Sequence, residues 1–154
     1  MIHYRPMESS DAEAVSEFCI RIFDEFVASS CKPEGRETFA GDSAPDNFVK
    51  HAEENHVILA FDEERLIGVV NMKKDGYLKL LFVEGDVQGK GLGKKLLSLA
   101  IEGATAEGHR PELIEVKSAV NSVPFYEKLG FKPEGEVEEK KGIRYRTMKL
   151  DLSF

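Results

Sequence analysis

A glycine-rich run in the middle of the chain has residue types that suit the binding of an anion. Residues 78–83 are mostly apolar, residues 84–87 read as a turn, and residues 88–93 (QGKGLG) lead into a helical pattern. A glycine-rich turn between a strand and a helix leaves backbone N–H groups unpaired, and the helix start carries about half a positive charge. Glycine also lets the backbone approach a ligand closely. This glycine loop, residues 88–93, predicts a pyrophosphate-type site, and Lys90, Lys94 and Lys95 add positive charge around it.

Two better-known nucleotide-binding patterns do not fit the glycine loop. The dinucleotide fingerprint G-x-G-x-x-G fails because its last position falls on a lysine or a leucine, depending on the glycine from which the count begins. The triphosphate-binding pattern needs four residues between its first glycine and a Gly-Lys-Ser/Thr, whereas three residues separate Gly85 from Gly89. The pattern that remains is Q-x-x-G-x-G, placed between a strand and a helix.

A second motif follows about thirty residues downstream of the glycine loop. Residues 114–116 (IEV) read as a buried strand, and residues 123–131 (VPFYEKLGF) read as a short helix closed by a glycine. Taken together, in this order and at this separation, the two motifs resemble the acyl-CoA-facing motifs of the GNAT superfamily of N-acetyltransferases. The resemblance covers about residues 58–152 and, more loosely, the whole chain.

The resemblance implies acetyl-CoA as the cosubstrate. In the family fold the fourth and fifth strands splay apart, and the backbone groups of Phe82 and Val83 would pair with the pantetheine arm as another strand does. Many family members place Asn directly after the fifth strand, whereas this chain has Lys117 followed by Ser118, so Ser118 or Asn121 is expected to replace that contact. The expected cofactor-binding residues are Phe82, Val83, Gln88, Gly89, Lys90, Gly91, Leu92, Gly93, Lys94, Asn121 and Lys128.

Acetyl transfer from a thioester to an amine needs a neutral amine, a stabilised oxyanion and a proton for the departing thiolate. By resemblance the acid is Tyr126, whose phenol has an ordinary pKa of about 10 and stays protonated at neutral pH. The oxyanion is expected to meet the backbone N–H of Val83. The expected general base is Glu115, with Glu84 as the second choice and a water relay as the alternative to a fixed carboxylate. Glu115 resembles a glutamate of some family members that acetylate protein N-termini. Alternatively, Glu115 forms an ion pair with Lys117 or another basic side chain.

Composition and charge limit the number of domains, the kinds of partner and the cellular location that are expected. A chain of 154 residues predicts one domain, residues 1–154, and the net charge of −7 disfavours nucleic acid and anionic membrane surfaces as partners. The same charge weakly favours cationic or neutral substrates. There is no apolar stretch of about 20 residues and no signal-peptide progression, so a soluble cytoplasmic protein is expected. Scattered histidines and two separate cysteines predict neither a metal site nor a disulfide, and a homodimer is left open.

The pattern along the chain predicts an α+β fold, with a mixed, mostly antiparallel sheet of six to seven strands flanked by helices. A capping box of Ser10 and Glu13 is expected to start the first helix. Residues 29–46, rich in Pro and Gly, are expected to form a loop, which either places Phe39 and Arg36 at the acceptor or is a mobile surface connection. Asp46 would cap the second helix.

The predicted function is therefore acetyl-CoA-dependent N-acetylation of a primary amine, on a small molecule or a protein, by direct attack in a ternary complex. The alternative is a catalytically silent acyl-CoA-binding sensor or regulatory module.

Overall fold

The computed structural model of the chain describes residues 1–153. Its helices are α1 (Ala12–Phe26), α2 (Pro33–Asp42), α3 (Pro45–Glu54), α4 (Leu92–Ala106) and α5 (Val123–Lys128). Its strands are β1 (Ile2–Pro6), β2 (His56–Asp62), β3 (Arg65–Met72), β4 (Tyr77–Val83), β5 (Leu113–Ala119), β6 (Lys132–Lys140) and β7 (Ile143–Asp151).

The strands form a seven-stranded sheet in the order β1-β2-β3-β4-β5-β7-β6. Neighbouring strands run antiparallel except β4 and β5, which run parallel. In the described residues, β4 and β5 pair only where Tyr77 meets Glu115 and Leu78 meets Val116, and the strands separate beyond that point. The α+β fold with a mixed sheet and a splay between the fourth and fifth strands is thus confirmed.

The two faces of the sheet are covered by different helices. On one face α4 buries Leu92, Leu96 and Ala100 against the strands. On the other face α1 buries residues such as Val15 and Ile22, which follow the spacing of a single apolar helical face. The apolar spacing along α1 predicts its buried face, and the sheet lies between two separate apolar clusters.

The expectation of a loop over residues 29–46 is wrong. A 3-10 turn spans Ala28–Ser30, and α2 and α3 then follow within the predicted loop. Pro33 and Pro45 occupy the first helical position of α2 and α3, where a missing N–H costs nothing and the fixed φ favours the helix. These prolines start helices instead of breaking them.

The expected caps of the first two predicted helices are also wrong. Before α1, the carboxylate of Asp11 accepts a hydrogen bond from the Glu8 amide at 2.8 Å, and Arg5 holds the same carboxylate at 2.7 and 2.8 Å. The Asp11 carboxylate, fixed by Arg5, therefore takes the part expected of Glu13, and Glu8 takes the N-cap position expected of Ser10. At α3, the residue before the helix is Ala44, and Asp46 lies within the first turn.

The tip of the β6–β7 hairpin folds onto α2. The Lys32 amide donates to the Gly142 carbonyl at 2.9 Å, and the Thr38 hydroxyl donates to the Lys141 carbonyl at 3.2 Å. The backbones of Gly35 and Gly142 lie so close together that a Cβ on either would collide with backbone atoms of the other. Gly35 and Gly142, which are far apart in sequence, can make this close contact because neither has a Cβ.

We expect Gly35→Ala to destabilise the protein by about 2 kcal/mol, because the added Cβ would force the hairpin tip away from α2. Thermal unfolding should show a decrease in Tm of about 5 °C. Gly41→Ala is the matched control in the same helix, since a Cβ there would have no atom within 4 Å. This control should leave stability unchanged or raise it by about 0.5 kcal/mol. Equal effects of the two substitutions would contradict the close contact.

Candidate active site

The glycine loop leaves its outer side open at the start of α4. Gly89 and Gly91 have φ angles of 82° and 81°, in the left-handed region that favours glycine. A Cβ on either residue would meet no described atom within 4 Å. Lys90 and Lys94 are exposed beside the loop, and the first turn of α4 has no acidic residue. The unpaired amides, the helix start and the lysines together suit an anionic ligand.

Leu92 and Gly93 face the protein interior. The side chain of Leu92 is 3% exposed and belongs to the core under α4. A Cβ on Gly93 would lie 3.0 Å from the ring of Phe125, so glycine at this position allows α5 to pack closely against the start of α4. Any contact of these two residues with a ligand would be made by their backbone.

The end of β4 turns one set of backbone groups toward the gap between β4 and β5. The amide of Glu84 donates to the Ile67 carbonyl on β3 at 2.9 Å. Because successive residues of a strand direct their backbone groups to alternate sides, those of Val83 point away from β3 and into the gap. The Gln88 side chain donates to the Val83 carbonyl at 3.1 Å. The Val83 amide is directed to the same side, whereas Phe82 directs its backbone toward β3.

Two cavities adjoin this gap. The narrow cavity, about 110 Å³, lies between the end of α1 and the end of β4 and is lined in part by Val83, Gln88 and Asn121. The wide cavity, about 440 Å³, lies between the sheet, α2 and the β6–β7 hairpin tip. Both cavities are lined by Val27, Phe82 and Ser122, so they meet at the open end of the splay.

Tyr126 on α5 lines the wide cavity and is 5% exposed. Its ring packs edge-on against Phe125 and Phe131, with centroids 5.2 and 5.4 Å away. Burial raises the pKa of the Tyr126 phenol well above its ordinary value, and the nearby Tyr77 shifts it in the same direction. The phenol therefore remains protonated across the neutral range.

Glu84 has a structural partner. Its carboxylate accepts two hydrogen bonds from Arg21 on α1, at 2.9 and 2.6 Å, and is 3.8 Å from Arg65. The hydrogen bonds from Arg21 hold the pKa of Glu84 below its ordinary value. Glu84 belongs to the lining of neither cavity and ties α1 to the end of β4.

Glu115 lies on β5 beside Tyr77 of β4 and also lines neither cavity. Its carboxylate is 4.0 Å from the ammonium of Lys149, which has a closer partner in Glu134 at 2.9 Å. The ammonium of Lys117, the other expected partner of Glu115, instead lies 5.3 Å from the centroid of the Tyr145 ring. Glu115 is therefore near the wide cavity but not in its wall.

Ser118 and Asn121, the two residues expected to replace the Asn that many family members have after the fifth strand, have different surroundings. Ser118 is 1% exposed, and its hydroxyl donates to the adjacent Ala119 carbonyl at 2.9 Å. Asn121 lines the narrow cavity while its amide donates to the Phe26 carbonyl at 3.3 Å. Ser122, for which the sequence predicts no role, lines both cavities. The sequence signal that could have identified Ser122 is its position directly before the second motif.

The remaining expected residues divide between the site and the surface. Phe39 on α2 lines the wide cavity, with its ring 4.2 Å from Phe23 and 5.8 Å from Phe82. Arg36 instead pairs with Asp24 at 3.0 Å, and neither cavity includes it. Lys128 is exposed at the end of α5, outside both linings.

The profile of the acetyltransferase (GNAT) domain matches residues 27–152. This match extends over most of the chain, and the fold with its splayed β4 and β5 agrees with it. The chain therefore belongs to the GNAT acetyltransferase family, which confirms the resemblance carried by the two motifs.

Solved structures with the same fold include several acetyltransferases. PaiA N-acetyltransferase from Thermoplasma acidophilum, solved in complex with coenzyme A, superposes with a TM-score of 0.81 at 21% identity, over 98% of this chain and 99% of that one. A GCN5-related N-acetyltransferase from Rhodopseudomonas palustris gives a TM-score of 0.80 at 18% identity, over 97% and 95% of the two chains. A GNAT-family acetyltransferase from Staphylococcus aureus gives 0.75 at 16% identity, over 99% and 100%. At these identities the likeness establishes the fold.

Among residues 1–153, no group of three or more His, Cys, Asp or Glu side chains is arranged to hold a metal ion. No helix in the described part of the chain is long and apolar enough to span a bilayer.

We expect Gly91→Asp to weaken acetyl-CoA binding at least about tenfold, because a carboxylate would stand before the loop amides and repel a pyrophosphate. Gly108→Asp is the matched control, since Gly108 has a φ of 84°, has no described atom within 4 Å of a Cβ, and lies beyond the other end of α4. Both variants carry the same backbone strain and charge change. Calorimetry should show lost affinity for Gly91→Asp alone, and unchanged affinity there would refute the anion site.

Proposed function

We propose that this GNAT-family chain is an acetyl-CoA-dependent N-acetyltransferase that acetylates a primary amine by direct attack in a ternary complex. Residues 1–154 would form one N-acetyltransferase domain. Acetyl-CoA would place its pyrophosphate on the glycine loop and its pantetheine arm along the narrow cavity, and the amine would enter the wide cavity.

One observation carries this proposal: the two cavities meet at Val27, Phe82 and Ser122, beside the backbone of Val83. A cofactor arm in the narrow cavity and an amine in the wide cavity would therefore bring their reacting ends together in the gap. Holding both reactants in one complex makes the reaction effectively unimolecular, and the separate walls explain how both can be bound at once.

The proposed chemistry uses few protein groups. The amine nitrogen attacks the thioester carbonyl carbon, and the negative charge that forms on the oxygen is stabilised by the Val83 amide. The C–S bond then breaks, and the Tyr126 hydroxyl gives its proton to the departing thiolate. The nitrogen loses a proton to a base and a proton from solvent restores the Tyr126 hydroxyl, so the products are the N-acetylated amine and coenzyme A. The buried Tyr126 is suited to this role because its phenol is protonated at neutral pH.

For the base we favour a water relay in the wide cavity. Glu84 is held by Arg21 and its depressed pKa makes it a weak proton acceptor. Glu115 stays a candidate for the far end of the relay, because it neighbours the cavity-lining Tyr77 without lining the cavity itself. The demand on the relay depends on the acceptor, since deprotonating a lysine-like amine at pH 7 requires roughly 4 to 5 kcal/mol and an α-amine about 1 kcal/mol.

The remaining proposed cofactor contacts are the Gln88, Lys90 and Lys94 side chains near the loop and Asn121 in the narrow cavity. Lys128, outside both linings, would reach only the solvent-exposed phosphate end of the cofactor. A silent acyl-CoA sensor is the second candidate function. It is favoured by the absence of a carboxylate base from the common border of the cavities in the described residues.

We expect Tyr126→Phe to lower kcat by about 100-fold or more while leaving acetyl-CoA affinity unchanged, because the hydroxyl acts only when the thiolate departs. Release of free thiol across a panel of amines measures kcat, and calorimetry measures the affinity. Tyr4→Phe is the matched control, since it removes a half-buried phenol from β1, outside both cavities.

Wild-type turnover by Tyr126→Phe would remove the acid from the mechanism. Tight acetyl-CoA binding by the wild-type protein, without thiol release across the panel, would favour the sensor.

A further inference from the structure

The wide cavity is lined by more positive than negative groups, although the chain has a net charge of −7. Four lysines contribute to its wall, against the single carboxylate of Asp42. The lysines are Lys79, Lys117, Lys140 and Lys141. Because acidic residues outnumber basic ones by 28 to 21 in this chain, a cluster of lysines around one cavity runs against the overall composition.

The cavity lysines also lack carboxylate partners. Within residues 1–153, other cations such as Arg21, Arg36 and Lys32 form ion pairs at 2.6, 3.0 and 2.9 Å. None of the four cavity lysines has a carboxylate within 4.0 Å in that part of the chain. Their positive charge is therefore available to a bound anion.

Rigid elements carry these lysines at two places in the cavity wall. Lys79 and Lys117 directly follow the last parallel pair of β4 and β5, Leu78 with Val116. The hairpin tip that bears Lys140 and Lys141 is held on α2 through the Thr38 hydrogen bond to the Lys141 carbonyl, at 3.2 Å. Lys79 and Lys117 thus line the cavity where the strands begin to separate, and Lys140 and Lys141 line it beyond the end of β5, toward the open end of the splay.

The other part of the cavity is apolar. The rings of Phe23, Phe39 and Phe82 follow one another at centroid distances of 4.2 and 5.8 Å. Phe82 also lines the narrow cavity, so this aromatic wall adjoins the point where the two cavities meet. A volume of about 440 Å³ is typical of a small-molecule site.

We infer that the acceptor is a small primary amine on an aromatic or aliphatic body that also carries a carboxylate or phosphate group; this inference rests on the proposed function. The amine lies at the junction of the cavities, the body lies against the phenylalanines, and the anion lies among the lysines. A second positive charge on the acceptor would be repelled there. The local charge thus reverses the preference for cationic or neutral substrates that the net charge suggested.

The experiment compares four amines that share a benzylamine body. They are 4-methylbenzylamine, 4-(aminomethyl)benzoate, 4-(aminomethyl)phenylphosphonate and 4-(aminomethyl)benzylamine. At low ionic strength, we expect kcat/KM for at least one anionic amine to exceed that of 4-methylbenzylamine by about tenfold, and the diamine to be the poorest acceptor. The ratio between benzoate and phosphonate distinguishes the two kinds of anion. Equal or lower rates for both anionic amines would overturn the inference.

Lys117→Glu tests whether the cavity charge causes the preference. Its ammonium lies over the Tyr145 ring within the cavity wall, so reversing the charge should reduce the anionic-to-neutral ratio to about one or below. Lys50→Glu is the matched control, an exposed lysine on α3 outside both linings, and should preserve the ratio. A ratio unchanged by Lys117→Glu, or lowered equally by Lys50→Glu, would contradict the assignment.

Calorimetry separates a failure of this inference from a failure of the proposed function. The probes are the N-acetylated products of 4-(aminomethyl)benzoate and 4-methylbenzylamine, whose binding requires no turnover. About tenfold tighter binding of the anionic product supports the inference even if no amine is acetylated, in which case only the enzymatic function fails. Equal affinities for the two products overturn the inference even if acetylation is observed.

Discussion

The separation of β4 from β5 is the constraint on which the rest of the structure depends. Each strand keeps its other neighbour, because β4 pairs with β3 as far as Val83 and β5 pairs with β7 as far as Ala119. Between them, pairing stops after Leu78 and Val116. Backbone groups in such a gap cost free energy unless they find a partner. Gln88 satisfies the Val83 carbonyl, and the Val83 amide is left directed toward the position proposed for the reacting thioester.

Two long-range contacts keep walls on both sides of the gap. Arg21 and Glu84 join α1 to the end of β4, so the narrow cavity retains its helical wall. Gly35 and Gly142 join α2 to the hairpin tip, which closes the wide cavity opposite the sheet. Glu84, which the sequence suggests as a possible base, therefore has a structural role. Gly35 and Gly142, which lie outside the glycine loop, must be glycines because a Cβ on either would collide with the other's backbone.

The charge of the cavity illustrates how a sum over the sequence can mislead. Most acidic side chains of this chain lie on the outer surface, where several pair with arginines, and they contribute to the net charge of −7 without facing the wide cavity. The wall of that cavity is assembled from β4, β5 and the hairpin tip, which bring lysines together from distant positions. A ligand within a few ångströms of those lysines is affected more by them than by the screened remainder of the surface.

The sequence by itself determined the features that depend on local spacing. The apolar periodicity of α1 and α4, the meander of β2 to β4 and the glycine loop before α4 all follow from neighbouring residues. The two motifs were enough to indicate the family, and the splay came with that resemblance. Local rules fail at residues 29–46, where Pro33 and Pro45 predict breaks in regular structure but instead begin two helices that are stabilised by contacts elsewhere in the chain.

Only the tertiary structure decided which side chains share a cavity, because that depends on contacts between residues far apart in sequence. Tertiary packing places the Phe39 ring against Phe23 and Phe82. It also forms the ion pairs of Arg36 with Asp24 and of Arg21 with Glu84. It also brought Ser122 to the border of both cavities. Such pairings leave no periodic signal in a single sequence, since they arise when separate elements pack around the gap between β4 and β5.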